Sequence, residues 1–297
     1  MSKTELIADI HARWGAIQKK ARTKKCKPPA GLTLLGTSLK VSKSDAVFPD
    51  TRSRILYLAP AWEAFEKGEA DGRTLCPWAT TCPLICLGRN SGQLALSHSE
   101  RARLWKATLF LGDRGAFNSL LGRELAAFSV ACTRQGIQGA VRLDGSSDLG
   151  LADRFAPQFP ELAFYDYTKS LARVGRQLKG GHRLPGRREW PALHPDNWSL
   201  CYSFDGTPDG RRKAKRVLAA GGTVAVVFNS LPARGDRAGA PIPATWEGYP
   251  VDDGDTHDFL PADLPGHVRG LRFKAFRDRA GSLETAGSFV EPVGVTV

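Results

Sequence analysis

The chain has 297 residues, 42% hydrophobic and 9% aromatic, enough to bury a sizeable core in one α/β domain or in a core with appended segments. Forty-two Lys and Arg stand against 30 Asp and Glu, a net charge of +12 and a pI near 9.6, which favours anionic partners, nucleic acid first. No secretory pattern or bilayer-length apolar run is visible, so a soluble cytoplasmic protein with no membrane partner is expected, one whose six cysteines are ligands, catalytic groups or core.

In chain order, residues 1–14 read as a short amphipathic helix on Leu6, Ile7 and Ile10. A basic run follows, Lys19, Lys20, Arg22, Lys24, Lys25 and Lys27, stopped by Pro28-Pro29. Residues 1–30 are therefore expected to be a basic arm that binds nucleic-acid phosphates, and residues 31–297 a single α/β domain. A strand is expected at 55–58, a short helix at 60–67 and a cysteine loop at 76–92. Ser97 with Glu100 has capping-box spacing and opens a helix carrying Leu104, Thr108 and Leu111. A second helix is expected over 116–135 with Phe117, Leu120, Leu121, Leu125 and Phe128 on one face.

Strands are then expected at 139–143, 162–167, 198–203, 223–228, 249–252 and 268–273, with helical stretches between some of them, such as 211–220. Helices alternating with apolar strands imply βαβ units and a mostly parallel sheet, TIM-barrel-like, as a full or an incomplete barrel. Two loops, 180–191 and 235–250, are long enough to serve function rather than core. No internal repeat is present.

The motif richest in chemistry is Cys76-Pro-Trp-Ala-Thr-Thr-Cys82-Pro-Leu-Ile-Cys86. Three thiols in a loop with two prolines can converge on one centre, and thiolates favour iron–sulfur clusters or zinc. The competing reading is three cysteines packed as small hydrophobes, which proline directly after two of them disfavours. A fourth ligand is open: an external molecule, Cys26, Cys132, Cys201 or a His. Cys132 and Cys201 sit in apolar surroundings and are expected in the core.

Asp144 and Asp148 fall at the carboxyl end of a strand, where parallel-sheet proteins bind ligands. The turn between them, Gly145, Ser146 and Ser147, has the backbone and hydroxyl groups to bond a ribose or phosphate; alternatively it is a plain turn with Asp148 as a helix cap. In Phe164-Tyr-Asp-Tyr-Thr-Lys169, alternation sends Tyr165 and Tyr167 to one face and Asp166 and Thr168 to the other, with Lys169 placed for an anion or simply solvated. Asp252-Asp-Gly-Asp-Thr-His257-Asp258 carries four carboxylates and a His, a cation or general-base candidate, or a solvated acidic turn. Lys213, Lys215 and Arg216, with the arginines at 183–188, extend the positive charge.

The chain resembles a family of phage and plasmid proteins akin to the phage gene product 88 group. The resemblance rests on Cys76-Pro, Cys82, Cys86-Leu-Gly-Arg, Arg103-x-x-x-Ala-Thr108-Leu-Phe110 with Phe117 and Leu120, and Val141-Arg-Leu-Asp-Gly-Ser-Ser-Asp148. It continues through Phe164-Tyr-Asp-Tyr-Thr-Lys169, Thr223-Val-Ala-Val-Val-Phe228 and Asp253-Gly-Asp255, over roughly residues 32–292. It implies a phage protein and no particular activity. A second resemblance, to radical S-adenosylmethionine enzymes, rests on three cysteines after the first strand and a Gly-Ser-Ser turn after the next, although the cysteine spacing is wider than in that family and its Gly-Gly-Glu turn is only loosely matched. It implies a 4Fe-4S cluster on Cys76, Cys82 and Cys86, with S-adenosylmethionine bound beside it and Asp144, Asp148 and Lys169 positioning cofactor or substrate.

The expected function is thus an iron–sulfur enzyme of a mobile element acting on a nucleic acid or nucleotide. Two rivals stand: a nucleic-acid-binding accessory protein with structural zinc, and a hydrolase using Asp253, Asp255 and His257 with a metal ion.

Overall fold

The computed structural model of the protein describes residues 1–66, 72–86, 96–178, 197–230, 241–273 and 279–293. Its strands are β1 (Thr51–Ile55), β2 (Gln138–Arg142), β3 (Leu162–Thr168), β4 (Trp198–Ser203), β5 (Thr223–Phe228), β6 (Thr245–Trp246), β7 (Tyr249–Asp253), β8 (Val268–Arg272) and β9 (Val290–Glu291). The helices are α1 (Lys3–Ala12), α2 (Trp14–Ala21), α3 (Leu39–Val47), α4 (Ala61–Ala64), α5 (Ser97–Gly112), α6 (Arg114–Gln135), α7 (Leu151–Phe155), α8 (Leu171–Gln177), α9 (Pro208–Ala219) and α10 (Arg279–Ala286). The loop expected at 180–191 lies outside the described residues, as do 87–92 of the cysteine loop and 235–240 of the second insertion.

Strands β1 to β5 lie side by side in sequence order, and β8 continues the row; every one of these pairings is parallel. Alternation decides the two faces. Phe164, Leu200, Tyr202, Val224, Val226 and Phe228 join the core shared with the helices. Ala140, Tyr165, Cys201 and Ala225 face the other way, onto Leu260 and Phe259. Both faces are covered, as a parallel sheet requires. Cys132 and Cys201 are buried in these cores.

The sheet does not close into a barrel, so only the mixed α/β architecture with a mostly parallel sheet stands from the barrel expectation. The reason is local. β7 adds in parallel to the far side of β8, and β6 folds back antiparallel on β7 through Glu247 and Gly248, whose φ values of 52° and 83° make the tight turn such a hairpin needs. At the opposite edge Gly36 bridges Ile55, exchanging both backbone hydrogen bonds with it. β9 pairs with Val227 and Phe228 of β5. Gly206 lies under the chain just before β9, with φ of 80° and the Ser288 carbonyl filling the space a Cβ would need; no side chain fits there.

The N-terminal segment departs from a free arm. It forms two helices rather than one, broken at Arg13, with Ser2 and Glu5 closing a capping box. Leu6, Ile10, Ile17 and Ala21 are buried against α5 and α6, and Gly112 of α5 lets the Ile17 backbone approach. Ser97 starts α5, but the N-cap is Leu96, and no side chain caps it. The strand expected at 55–58 is β1, four residues earlier, because Thr51, Ser53 and Ile55 supply the buried alternation. No helix among the described residues is long and apolar enough to cross a membrane.

Candidate functional site

A parallel row sends the chain out of every strand at the same edge. That edge gathers the loop after β1, the 144–148 turn after β2, Lys169 after β3 and Asp205 after β4. The cysteine loop is tied down here at several points. The Cys76 thiol lies 3.7 Å from the Ser146 carbonyl, and the Asp148 N–H donates to the Leu75 carbonyl. Thr80 donates to the Asp205 carboxylate at 3.1 Å and Thr81 to the Asp205 carbonyl at 2.6 Å. Helix α10 packs on the 3-10 turn Cys82–Ile85.

Cys76, Cys82 and Cys86 are all half-buried and unbridged. Burial pushes the Cys76 thiol well up, and Cys86, Cys82, Asp148 and Asp144 add to the rise, so the neighbours that set its charge are themselves acidic groups. The thiols therefore share one locale with these carboxylates. Among the described residues, however, no three His, Cys, Asp or Glu side chains already stand in a metal-holding arrangement. The three thiols suit a soft metal by their chemistry.

The turn residues are engaged within the fold. Asp144 accepts from the Ser147 hydroxyl at 2.7 Å and from the N–H groups of Leu149 and Gly150 at 3.0 and 2.8 Å. Ser146 donates to the Leu58 carbonyl, and Gly145 sits against Leu56 and Tyr57, too close for a Cβ. Asp148 does not cap a helix. It accepts from the Lys169 N–H at 3.0 Å and pairs with buried Arg173 at 2.5 Å. Arg173 also faces Asp144 and Asp153 at 3.8 and 3.6 Å. The hydroxyl of Ser147 is thus spent on the turn and that of Ser146 on the loop after β1, and Asp144 and Asp148 shape the rim. Lys169 remains partly open, donating to Ser203 at 2.8 Å and lying over the Phe289 ring.

Tyr165 and Tyr167 do share a face, and there the structure assembles a second charged group. Asp258, fully buried, accepts from Lys40 at 2.7 Å, from Arg142 at 2.8 Å and from the Tyr167 hydroxyl at 3.3 Å. Its burial would raise the carboxyl pKa, but Lys40 and Arg142 more than offset that and hold it far below the ordinary range. Arg142 also lies over the Tyr167 ring. Lys40 had no sequence signal; a lysine in the first turn of a short helix looks solvated. Arg142, by contrast, was visible as a cation inside an apolar strand, where burial demands a partner.

The remaining candidates are held structurally. Asp253 and Asp255 grip Arg272 at 2.8 and 3.5 Å, and His257 packs edge-on against Phe48, so this turn fastens β8 and does not converge on a cation. Lys213 pairs with Asp209 and Lys215 with Glu247. In the basic run, Lys19, Lys20, Arg22, Lys25 and Lys27 are exposed and Lys24 is half-buried, which leaves a positive ridge on the docked N-terminal segment.

No curated protein and no solved structure matches the chain. The comparisons lend no support to the resemblance to radical S-adenosylmethionine enzymes. The model of one family, gene product 88, matches residues 19–285, a span that holds the cysteine loop, the 144–148 turn and the row of strands from β1 to β8. The chain belongs to the gene product 88 family, a phage-type family.

Proposed function

We propose that the carboxyl edge of the sheet is the active site of a metalloenzyme in which Cys76, Cys82 and Cys86 hold a thiolate-bound centre, an iron–sulfur cluster before zinc. The observation that carries this reading is the anchoring of the cysteine loop: it is fastened to the ends of β2 and β4 through Ser146, Asp148 and Asp205, which sets three thiols over the edge where parallel sheets bind ligands. The surrounding carboxylates favour a bound cation. Lys169 at the same edge suits an anionic group on the substrate, in keeping with a nucleotide or nucleic acid. When bound, the centre supplies redox or Lewis-acid chemistry; the chain's own part is to hold the loop and orient the ligand. S-adenosylmethionine as a co-substrate is the finer form of this reading, supported by the order of strand, cysteine loop, strand and turn.

Anaerobic reconstitution with iron and sulfide tests it. Absorption from sulfur-to-iron charge transfer that bleaches with dithionite, and is lost in each single Cys→Ser variant of the three, is the expected result. A spectral change on adding S-adenosylmethionine supports the finer form. A colourless protein with one tightly bound zinc would turn the reading to the nucleic-acid-binding accessory protein, whose phosphate contacts would come from the Lys19 to Lys27 ridge. Uptake of neither metal would overturn both.

A further inference from the structure

The charged group on the second face of the sheet has features that a purely structural ion pair does not need. Lys40 is enclosed by α3, β2 and β3 side chains, and burial of its ammonium pulls its pKa down, yet 38% of its side chain still meets solvent. Lys40, part-exposed, bonds the fully buried Asp258, so this charged group opens to water in a shallow cleft. Tyr57 and Tyr167 are also only half-buried, while Arg142 is 7% exposed and Asp258 fully enclosed, so Asp258 forms the floor. Tyr57 also packs against Gly145 of the cysteine rim.

Lys40, Arg142 and Arg269 line this face against Asp258 and Asp263, and Arg269 is taken up by Asp263 and by the carbonyls of Gly254 and His257. Lys40 and Arg142 share the single carboxylate of Asp258. Arg142 donates to it through Nη1, and among the described residues its buried Nε has no hydrogen-bond partner. A buried guanidinium with an idle donor costs stability unless something accepts from it. At the cleft wall the Tyr57 hydroxyl donates to Ser38 at 3.4 Å.

We infer that this cleft, lined by Lys40, Tyr57, Arg142 and Tyr167 over Asp258, is an oxyanion-binding site that takes a phosphate group. A guanidinium and an ammonium that share one carboxylate match the oxygens and the charge of a phosphate, with the two phenol rings as walls. The inference does not rest on the metal centre; it stands on the opposite face of β2 and β3 from the main core.

Isothermal titration with inorganic phosphate, adenosine monophosphate and adenosine tests it. Phosphate should bind saturably, adenosine monophosphate should compete for the same site, and adenosine should not bind. Lys40→Met should weaken phosphate at least tenfold, whereas Lys43→Met, an exposed lysine of the same helix, should leave it unchanged although it removes the same charge. Arg142→Gln should abolish binding; should it fail to fold, the Lys40 and Lys43 pair decides by itself. The triple variant Cys76→Ser, Cys82→Ser, Cys86→Ser should lose metal and keep phosphate, which separates this inference from the metal reading. Equal effects of Lys40→Met and Lys43→Met, absence of saturable phosphate binding, or loss of phosphate in the folded triple variant would overturn it.

Discussion

Two buried charge groups flank β2 and β3, and they differ in sign and in closure. Under the cysteine rim, Arg173 is ringed by Asp144, Asp148 and Asp153, with an excess of carboxylate, and Arg173 and Asp144 are almost sealed, at 5% and 0% side-chain exposure. On the second face Lys40 and Arg142 outnumber Asp258, and Lys40 is open. The sealed group locks the turn onto β3, since Asp144 accepts from the N–H groups of Leu149 and Gly150 and Asp148 from that of Lys169. Among the described residues both arginines keep buried donors without a hydrogen-bond partner, Nε of Arg142 and Nε and Nη2 of Arg173, but only the second group opens to water through Lys40. Adjacent regions of opposite charge excess suit a cation at the rim and an anion in the cleft, and the same strand, β2, serves both.

Several substitutions break or sharpen this contrast. The largest effect is expected from Arg173→Met, which leaves carboxylates buried without their cation; about 3–5 kcal/mol of stability should be lost, read by urea denaturation. Asp148→Asn should also be costly, for the same pair, whereas sequence position alone marks Asp148 as a site residue with little role in stability. A loss under about 1 kcal/mol in both would mean that the rim group is no lock.

Asp258→Asn should cost about 3 kcal/mol, because Lys40 and Arg142 then face each other unneutralised. Its pH signature is distinct. A carboxyl held below its ordinary value of 3.8 stabilises the fold above that pH, and the contribution fades as pH falls from there toward the depressed folded value. The acid limb of the melting curve below about pH 4 should therefore flatten in the variant. Phosphate should raise the melting temperature of Asp258→Asn more than that of the parent protein; an equal rise would remove the cleft from the contrast.

Cys132→Ser and Cys201→Ser should keep the metal that Cys76, Cys82 and Cys86 variants lose. Burial pushes Cys201 up to about 12, so it supplies no thiolate at neutral pH. Metal analysis of the five single variants checks this.

The smallest effect on stability belongs to the basic ridge. Replacing Lys19, Lys20, Lys25 and Lys27 by Gln should shift stability by no more than about 0.5 kcal/mol, since all are exposed. Nucleic-acid affinity should fall, and the slope of log K against log salt should shrink by roughly 0.9 for each phosphate no longer neutralised. An unchanged slope would make the ridge a solvated face. Deleting residues 1–30 is a poorer test, because it strips Leu6, Ile10 and Ile17 from the core.

The sequence by itself determined the local elements, because their signals are local. Phe117, Leu120, Leu121 and Leu125 at helical spacing specify the buried face of α6, and runs such as Thr223-Val-Ala-Val-Val-Phe228 specify buried parallel strands. Family membership was legible for the same reason, in contiguous motifs. Only the tertiary structure decided what depends on distant partners. Whether the sheet closes turned on β7 and β6 adding beyond β8. Whether Asp144 and Asp148 are free turned on Arg173, some 25 residues from Asp148 in sequence. That a surface-looking Lys40 meets Asp258 across the fold has no local trace at all, since electrostatic pairing follows distance in space, not separation along the chain.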